Sequence, residues 1–253
     1  AVDNQMISFV DLAPTVLSLA HIPVPKYMQG QAFLGEQKAK TARKYAFAAR
    51  DRMDSEYDRV RTVHDGRYQY VRNYMPEKPY YQNIRYRLQQ PSMQSILKLK
   101  EKGKLNETQM LWFRTEKPTE EFYDCKVDPN EFNNVIDKPE YKDKVAELRR
   151  VYDQWIQKVG DTADEPEMKM VRRWWGDKEE APVTETPKMQ FKSSKIILSC
   201  ATKGASIGYK KRWKEAGWKV YNQPQEVSKG DSLYVISHRI GYKRSNILAL
   251  KVE

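Results

Sequence analysis

EEFYDCKVDPNEFNNVIDKPEYKDKVAELRRVYDQWIQK, running from Glu120 to Lys158, holds the clearest pattern in the chain. It opens on a strand. Asp128-Pro129 marks a turn, and Asp137-Lys138-Pro139 marks a second one that leads into a helix. Within the helix, Val145, Leu148, Tyr152 and Trp155-Ile156 recur at helical spacing and form one apolar stripe. A strand followed by an amphipathic helix predicts that the helix covers a sheet.

Working outward from this stretch supplies the rest of the sheet. Asp58–Val63 and Arg67–Arg72 alternate on either side of Asp65-Gly66, a strong signal for a two-residue hairpin turn. Lys44–Ala49 is a short apolar strand that runs into the charged group Arg50-Asp51-Arg52-Met53-Asp54. Residues 74–92, rich in Tyr, Pro and Gln, form an ordered loop. Ser92–Glu101 and Glu107–Phe113 have helical spacing. At the start, Met6–Val10 predicts a strand and Asp11 an N-cap with Pro14 in the first turn. Val16, Leu17, Leu19 and Ala20 supply the apolar face of that helix, which His21-Ile22-Pro23 stops. Residues 1–160 are therefore expected to be α+β, an antiparallel sheet with packed helices.

Residues 161–188 are expected to be a linker, with Pro166, Pro182 and Pro187 and the pair Trp174-Trp175 pinning it to a domain surface. From Met189 the pattern switches to period two, with turns at Lys203-Gly204, Ala216-Gly217 and Lys229-Gly230-Asp231. Residues 189–253 thus predict a small all-β, immunoglobulin-like sandwich. Its inward faces are Ile196, Leu198 and Cys200 on one strand, and Leu248, Leu250 and Val252 on another.

The composition narrows the function. The chain has 253 residues, a net charge of +11 and 31% charged side chains. No apolar run approaches the roughly 20 residues that span a bilayer. The opening AVDNQ lacks the basic start of a signal peptide. Two distant cysteines, Cys125 and Cys200, predict two separate buried thiols and no disulfide framework. The basic side chains are spread along the chain among 34 acidic ones, and no nucleic-acid-binding signature appears. The net charge suits a polyanion as partner, or no more than a solvated basic surface. His21, His64 and His238 form no site, and metal-ligand spacing is absent.

Three blocks carry a family resemblance. Glu120–Lys158 resembles the closing strand, "D-P-x-E-x-x-N" loop and last helix of sulfatases. SFVDLAPTVLSLAHIPVP, Ser8 to Pro25, resembles the "D-L-x-P-T" segment near the end of the sulfatase catalytic domain. RTVHDGRYQYVRNY, Arg61 to Tyr74, resembles a hairpin of the same family. The heparan N-sulfatase (sulfamidase) type is most similar in pattern. Residues 189–253 resemble the small domain at the C-terminus of chitobiases and β-hexosaminidases, which is also appended to some bacterial sulfatases.

The C/S-x-P-x-R motif that holds the sulfatase nucleophile is absent. Cys125 lies in C-K-V-D-P and Cys200 in C-A-T-K-G. The resemblance therefore implies the C-terminal part of a sulfatase, whose formylglycine nucleophile and calcium ligands come from an upstream catalytic domain. It also implies a periplasmic or secreted parent that removes sulfate from a carbohydrate. In this chain no catalytic residue, cofactor or metal ligand is expected.

Arg50, Asp51, Arg52 and Asp54 are the candidate substrate-binding residues. The resemblance places them at the rim of the parent's substrate pocket. Guanidinium forks suit sulfate oxygens, and carboxylates suit sugar hydroxyls. The competing reading is an internal salt-bridge network. The aromatic loop Tyr74–Tyr86 is expected to cover the sheet. The alternative function is a non-catalytic module that binds a sulfated glycan.

Overall fold

The computed structural model describes residues 5–252. Ala1–Asn4, on which most of the signal-peptide reading rests, and Glu253 lie outside them. The chain divides into two compact units, Ala1–Ala163 and Asp164–Glu253. Both helices and antiparallel sheets are present, so the fold is α+β.

In the first unit, β1 (Ala46–Met53), β2 (Glu56–His64), β3 (Tyr68–Asn73) and β4 (Glu120–Asp124) form one antiparallel sheet in chain order. The strand of the opening stretch is β4, and its helix runs over Lys142–Val159. Chain order among the described residues makes that helix α5. The others are α1 (Leu12–Leu19), α2 (Arg85–Leu88), α3 (Pro91–Glu101), α4 (Glu107–Met110) and α6 (Glu167–Trp174). Val145, Leu148 and Tyr152 of α5 are buried against Val63, Tyr70 and Phe122 of the sheet. Trp155, at the edge of the stripe, stacks on Phe47 of β1 at 4.8 Å between ring centres. The helix ends at Gly160, whose φ of 65° is the left-handed conformation that glycine adopts without a Cβ clash.

The structure corrects four local expectations in this unit. Met6–Ser8 is not a strand, and Phe9–Asp11 is a single 3-10 turn that leads into α1. The predicted hairpin turn moves by one residue. Asp65 and Tyr68 flank it, and Gly66, at φ 100°, is its first central residue. A primed turn with positive φ there needs glycine. The Asp65 carboxylate accepts the Arg67 and Tyr68 N–H groups and locks it. β1 extends through Arg50, Asp51 and Arg52 to Met53, because β2 places partners beside these charges.

The fourth correction concerns α1. Thr15 and Ser18 are its buried side chains, with Pro14, whereas Val16 and Leu19 are more than half exposed. Residues 30–37 occupy the polar face. Thr15 Oγ1 accepts from Phe33 N, and Ser18 Oγ accepts from Gln37 N. Gly30 and Gly35 allow the approach, since a Cβ on either would fall inside the backbone of Val10 or the side chain of Ser18. Asp11 does not cap α1 with its side chain. It is buried and accepts from Ser8 N, Gln31 N and Arg43 instead.

The second unit holds two antiparallel sheets. One is β11-β10-β7-β8 and the other β5-β6-β9, built from β5 (Lys188–Lys192), β6 (Lys195–Ser199), β7 (Ser206–Lys210), β8 (Lys219–Val220), β9 (Gln225–Glu226), β10 (Ser232–His238) and β11 (Leu248–Lys251). Ile196 and Leu198 meet Tyr209, Leu233 and Val235 in a shared core. Leu248 and Leu250 are only half-buried, because β11 is an edge strand. Cys200 is also half-buried and donates to the Glu185 carbonyl. Both cysteines are free thiols. Within residues 161–188 the chain forms α6, and the Trp175 indole N–H donates to the Gly241 carbonyl at 2.8 Å.

Candidate functional site

The four candidate residues lie on one hairpin and divide into two groups. Arg50 and Asp51 sit inside β1 and are paired with neighbouring side chains. Arg50 donates to the Gln82 amide oxygen and lies 3.7 Å from Asp58. Asp51 accepts from Arg61 of β2 at 2.8 Å. Arg52 follows a register irregularity between Arg50 and Arg52, and its guanidinium lies 6.0 Å from the Tyr57 ring centre. Asp54 is exposed at the tip of the β1–β2 turn with φ 55°, a conformation Asp tolerates better than most residues. The tip therefore presents Arg52 and Asp54 outward, above a paired base.

That base is a buried ionic network. Lys117 pairs with Asp58, and both side chains are at most 2% exposed. Gln82 links Asp58 to Arg50 by donating to the Asp58 carboxylate at 3.0 Å. On the other side, Asp161 accepts two bonds from Arg61, at 3.1 and 3.0 Å. Burial acts to raise the Asp161 carboxyl, but the Arg61 hydrogen bonds, the Ala163 N–H and the Arg59 charge outweigh it and hold it below the ordinary carboxylate range. Asp11 behaves alike: burial opposes the charge, and bonds from Arg43, Gln31 and Ser8 prevail.

These depressed values set the acid behaviour. A carboxyl depressed in the folded state contributes stability above its unfolded pKa and loses it as pH falls through the folded one. The melting temperature of the first unit should therefore hold between pH 7 and about 5 and drop below about pH 4. A melting temperature that rises on acidification would contradict these pairings.

Met53, between Arg52 and Asp54, also walls an apolar pocket of about 390 Å³ shared with Ile84, Tyr86, Arg87, Met93 and Trp112. The Arg87 guanidinium lies 5.3 Å from the Trp112 ring centre. Sequence reasoning assigned Tyr86 to a covering loop and did not single out Arg87 or Trp112. Their only signal was aromatic density, which does not tell a cover from a pocket. Tyr86 is 71% exposed beside this pocket.

Among the described residues, no group of three or more His, Cys, Asp or Glu side chains is placed to hold a metal ion. His21 pairs with Glu36, His64 accepts from Gly66 N, and His238 contacts the Tyr242 carbonyl. No described helix is long and apolar enough to cross a membrane.

No family model matches the chain. Its homologues are sulfatases. It is 46% identical, over 99% of its length, to a protein of Formosa agariphila described as an ulvan-active sulfatase, of which the alignment covers 43%. A second ulvan-active sulfatase of that organism is 28% identical over 64% of this chain and 31% of its own length. The chain thus spans less than half the length of the curated relatives it matches. Among solved structures, one described as a 2-O GAG sulfatase covers 62% of this chain and 26% of its own, at 24% identity and a TM-score of 0.39.

Proposed function

We propose that these residues are the C-terminal portion of a carbohydrate sulfatase and that the β1–β2 hairpin tip completes its substrate pocket. The observation that carries this reading is the 46% identity across 99% of the chain, both units included, to an ulvan-active sulfatase more than twice as long. The substrate is then a sulfated polysaccharide. The parent protein is bacterial and works in the periplasm or outside the cell.

An uncovered apolar face supports an upstream partner domain. Phe9, Val10, Leu12, Val16, Leu19 and Ile22 are all exposed. Several large apolar side chains together on one short segment mark a protein contact. The occupant proposed for this face is the remaining, catalytic part of the parent. The nucleophile and calcium ligands belong to that part. Asp51 and Asp58 of the hairpin do not fit a calcium site, since they are paired with Arg61 and Lys117.

In this reading Arg52 and Asp54 contact the sugar or its sulfate, while Arg50 and Asp51 hold the strand that carries them. Arg52→Ala in the full-length enzyme should lower kcat/KM on a sulfated oligosaccharide by about tenfold or more, the loss of one charge-assisted contact. Turnover of a small aryl sulfate, which does not reach the rim, should change much less. Unchanged kinetics on the oligosaccharide for both Arg52→Ala and Asp54→Ala would remove the hairpin tip from the pocket.

A further inference from the structure

The basic side chains are spread along the chain as expected, but the acidic ones that offset them are not. Residues 189–253 carry 13 Lys and Arg against four Asp and Glu, a net +9 of the total +11. Most of the net positive charge that attracts a polyanion therefore resides in residues 189–253.

One sheet face in that unit has the shape of a ligand site. In register, Ser206, Gly208 and Lys210 of β7 stand opposite His238, Ile236 and Tyr234 of β10. Val220 of β8 stands opposite Gly208. Strand alternation places these residues on the face away from the core residues Leu233 and Val235. A cavity of about 390 Å³ opens there, walled by Ser206, Gly208, Trp218, Val220, His238 and Arg244. That volume lies at the small end of the range for ligand pockets and suits a single ring.

The walls are held in place. A Cβ on Gly208 would stand 3.1 Å from Trp218 Cβ, so glycine lets the tryptophan lie close to the strand. Lys210 Nζ lies 4.7 Å from the Trp213 ring centre and 4.9 Å from that of Trp218, and donates to the Trp213 carbonyl at 2.6 Å. The His238 Nε2 lies 3.0 Å from the Tyr242 carbonyl. Donation to that carbonyl leaves neutral Nδ1 as an acceptor. Arg244 is exposed at the rim.

We infer that this outer face binds one pyranose ring of a sulfated polysaccharide. Trp218 and Val220 take the aliphatic C–H surface of the ring. His238 and Ser206 bond its hydroxyls, and the planar fork of Arg244 takes a sulfate. Lys211, Arg212, Lys214 and Lys219, all exposed, attract neighbouring sulfates along the chain. Nucleic acid is the other abundant polyanion. A one-ring pocket with aliphatic Val220 and Ile236 suits a saccharide better than a run of stacked bases. The choice of a sulfated glycan over other polyanions rests on the proposed function.

The full chain would be titrated at about 0.15 M salt, where exposed charges act over about 8 Å, with ulvan, chemically desulfated ulvan and a single-stranded DNA oligonucleotide. Ulvan should bind most tightly. Trp218→Ala and Arg244→Gln should each weaken it about tenfold, as loss of one stacked or charge-assisted contact does. Arg150→Ala, on the exposed side of α5 and outside both proposed sites, should leave the affinity as it is. Arg244 is exposed, so its variant should melt as the parent does and keep the test valid if Trp218→Ala unfolds. Equal affinity of Arg244→Gln and the unaltered chain would overturn the inference, as would DNA binding as tightly as ulvan. A loss confined to Arg52→Ala would place the glycan on the first unit, leaving the proposed function standing and removing this site. Intact ulvan binding here, with no kinetic effect of Arg52→Ala or Asp54→Ala in the longer enzyme, would do the reverse.

Discussion

Residues 1–253, purified alone, should release no sulfate from an aryl sulfate above a mock preparation. The expectation follows from the absence of a C/S-x-P-x-R segment anywhere in the sequence. Neither thiol compensates. Burial pushes Cys125 up to about 11, helped by the negative charge of Glu131, so it is not a thiolate at neutral pH. Cys200, in the second unit, donates its S–H to the Glu185 carbonyl of the same unit. The chemistry of sulfate transfer needs a strong nucleophile and concentrated positive charge at one oxyanion. The guanidinium groups near the hairpin are largely committed to Asp51, Asp58 and Asp161. Measurable, enzyme-dependent turnover by the pure chain would show a nucleophile within it and overturn the proposed division of labour.

Lys117→Met should destabilise the first unit by about 3–5 kcal/mol, the usual result of stranding one member of a buried ion pair. Lys117 and Asp58 are at most 2% exposed, so water cannot replace the lost partner. Asp58 would keep Gln82, the Arg59 N–H and the more distant Arg50. Gln82 also orients Arg50, so the loss should loosen β1 beneath the hairpin tip. Urea unfolding of the single variant and of Asp58→Leu with Lys117→Met gives the test. The double variant should recover a substantial part of the loss, because no buried charge is left unpaired. A single variant as stable as the unaltered chain would show that the pair does not hold the hairpin.

The parts of this protein legible in its sequence are those with a local period. The α5 stripe of Val145, Leu148 and Tyr152 is visible because helical spacing brings them to one side whatever lies opposite. The same holds for the alternation of β2 and β3, and for Ile196 and Leu198 in the second unit. That a short strand runs into the charged group was also readable, but not that the strand continues through it. The sulfatase resemblance was readable too, since its motifs are short and ordered along the chain.

Tertiary structure alone decided which members of each pattern are used. Asp161 meets Arg61 across 100 residues of chain, and Asp58 meets Lys117 across 59, so no window of sequence could pair them. Those pairings let β1 continue through Arg50 and Asp51 and leave Arg52 and Asp54 at the tip. Close approach of residues 30–37 chose the polar side of α1 for burial and turned Val16 and Leu19 outward, against the ordinary preference for apolar burial. The outer face in the second unit is likewise a product of register. Gly208, Trp218, His238 and Arg244 belong to separate segments, and only strand pairing and the space beside a glycine bring them to one cavity. Local periodicity determines which side of an element is apolar. What that side meets depends on contacts distant in sequence, and these set both the candidate pocket rim and the proposed glycan face.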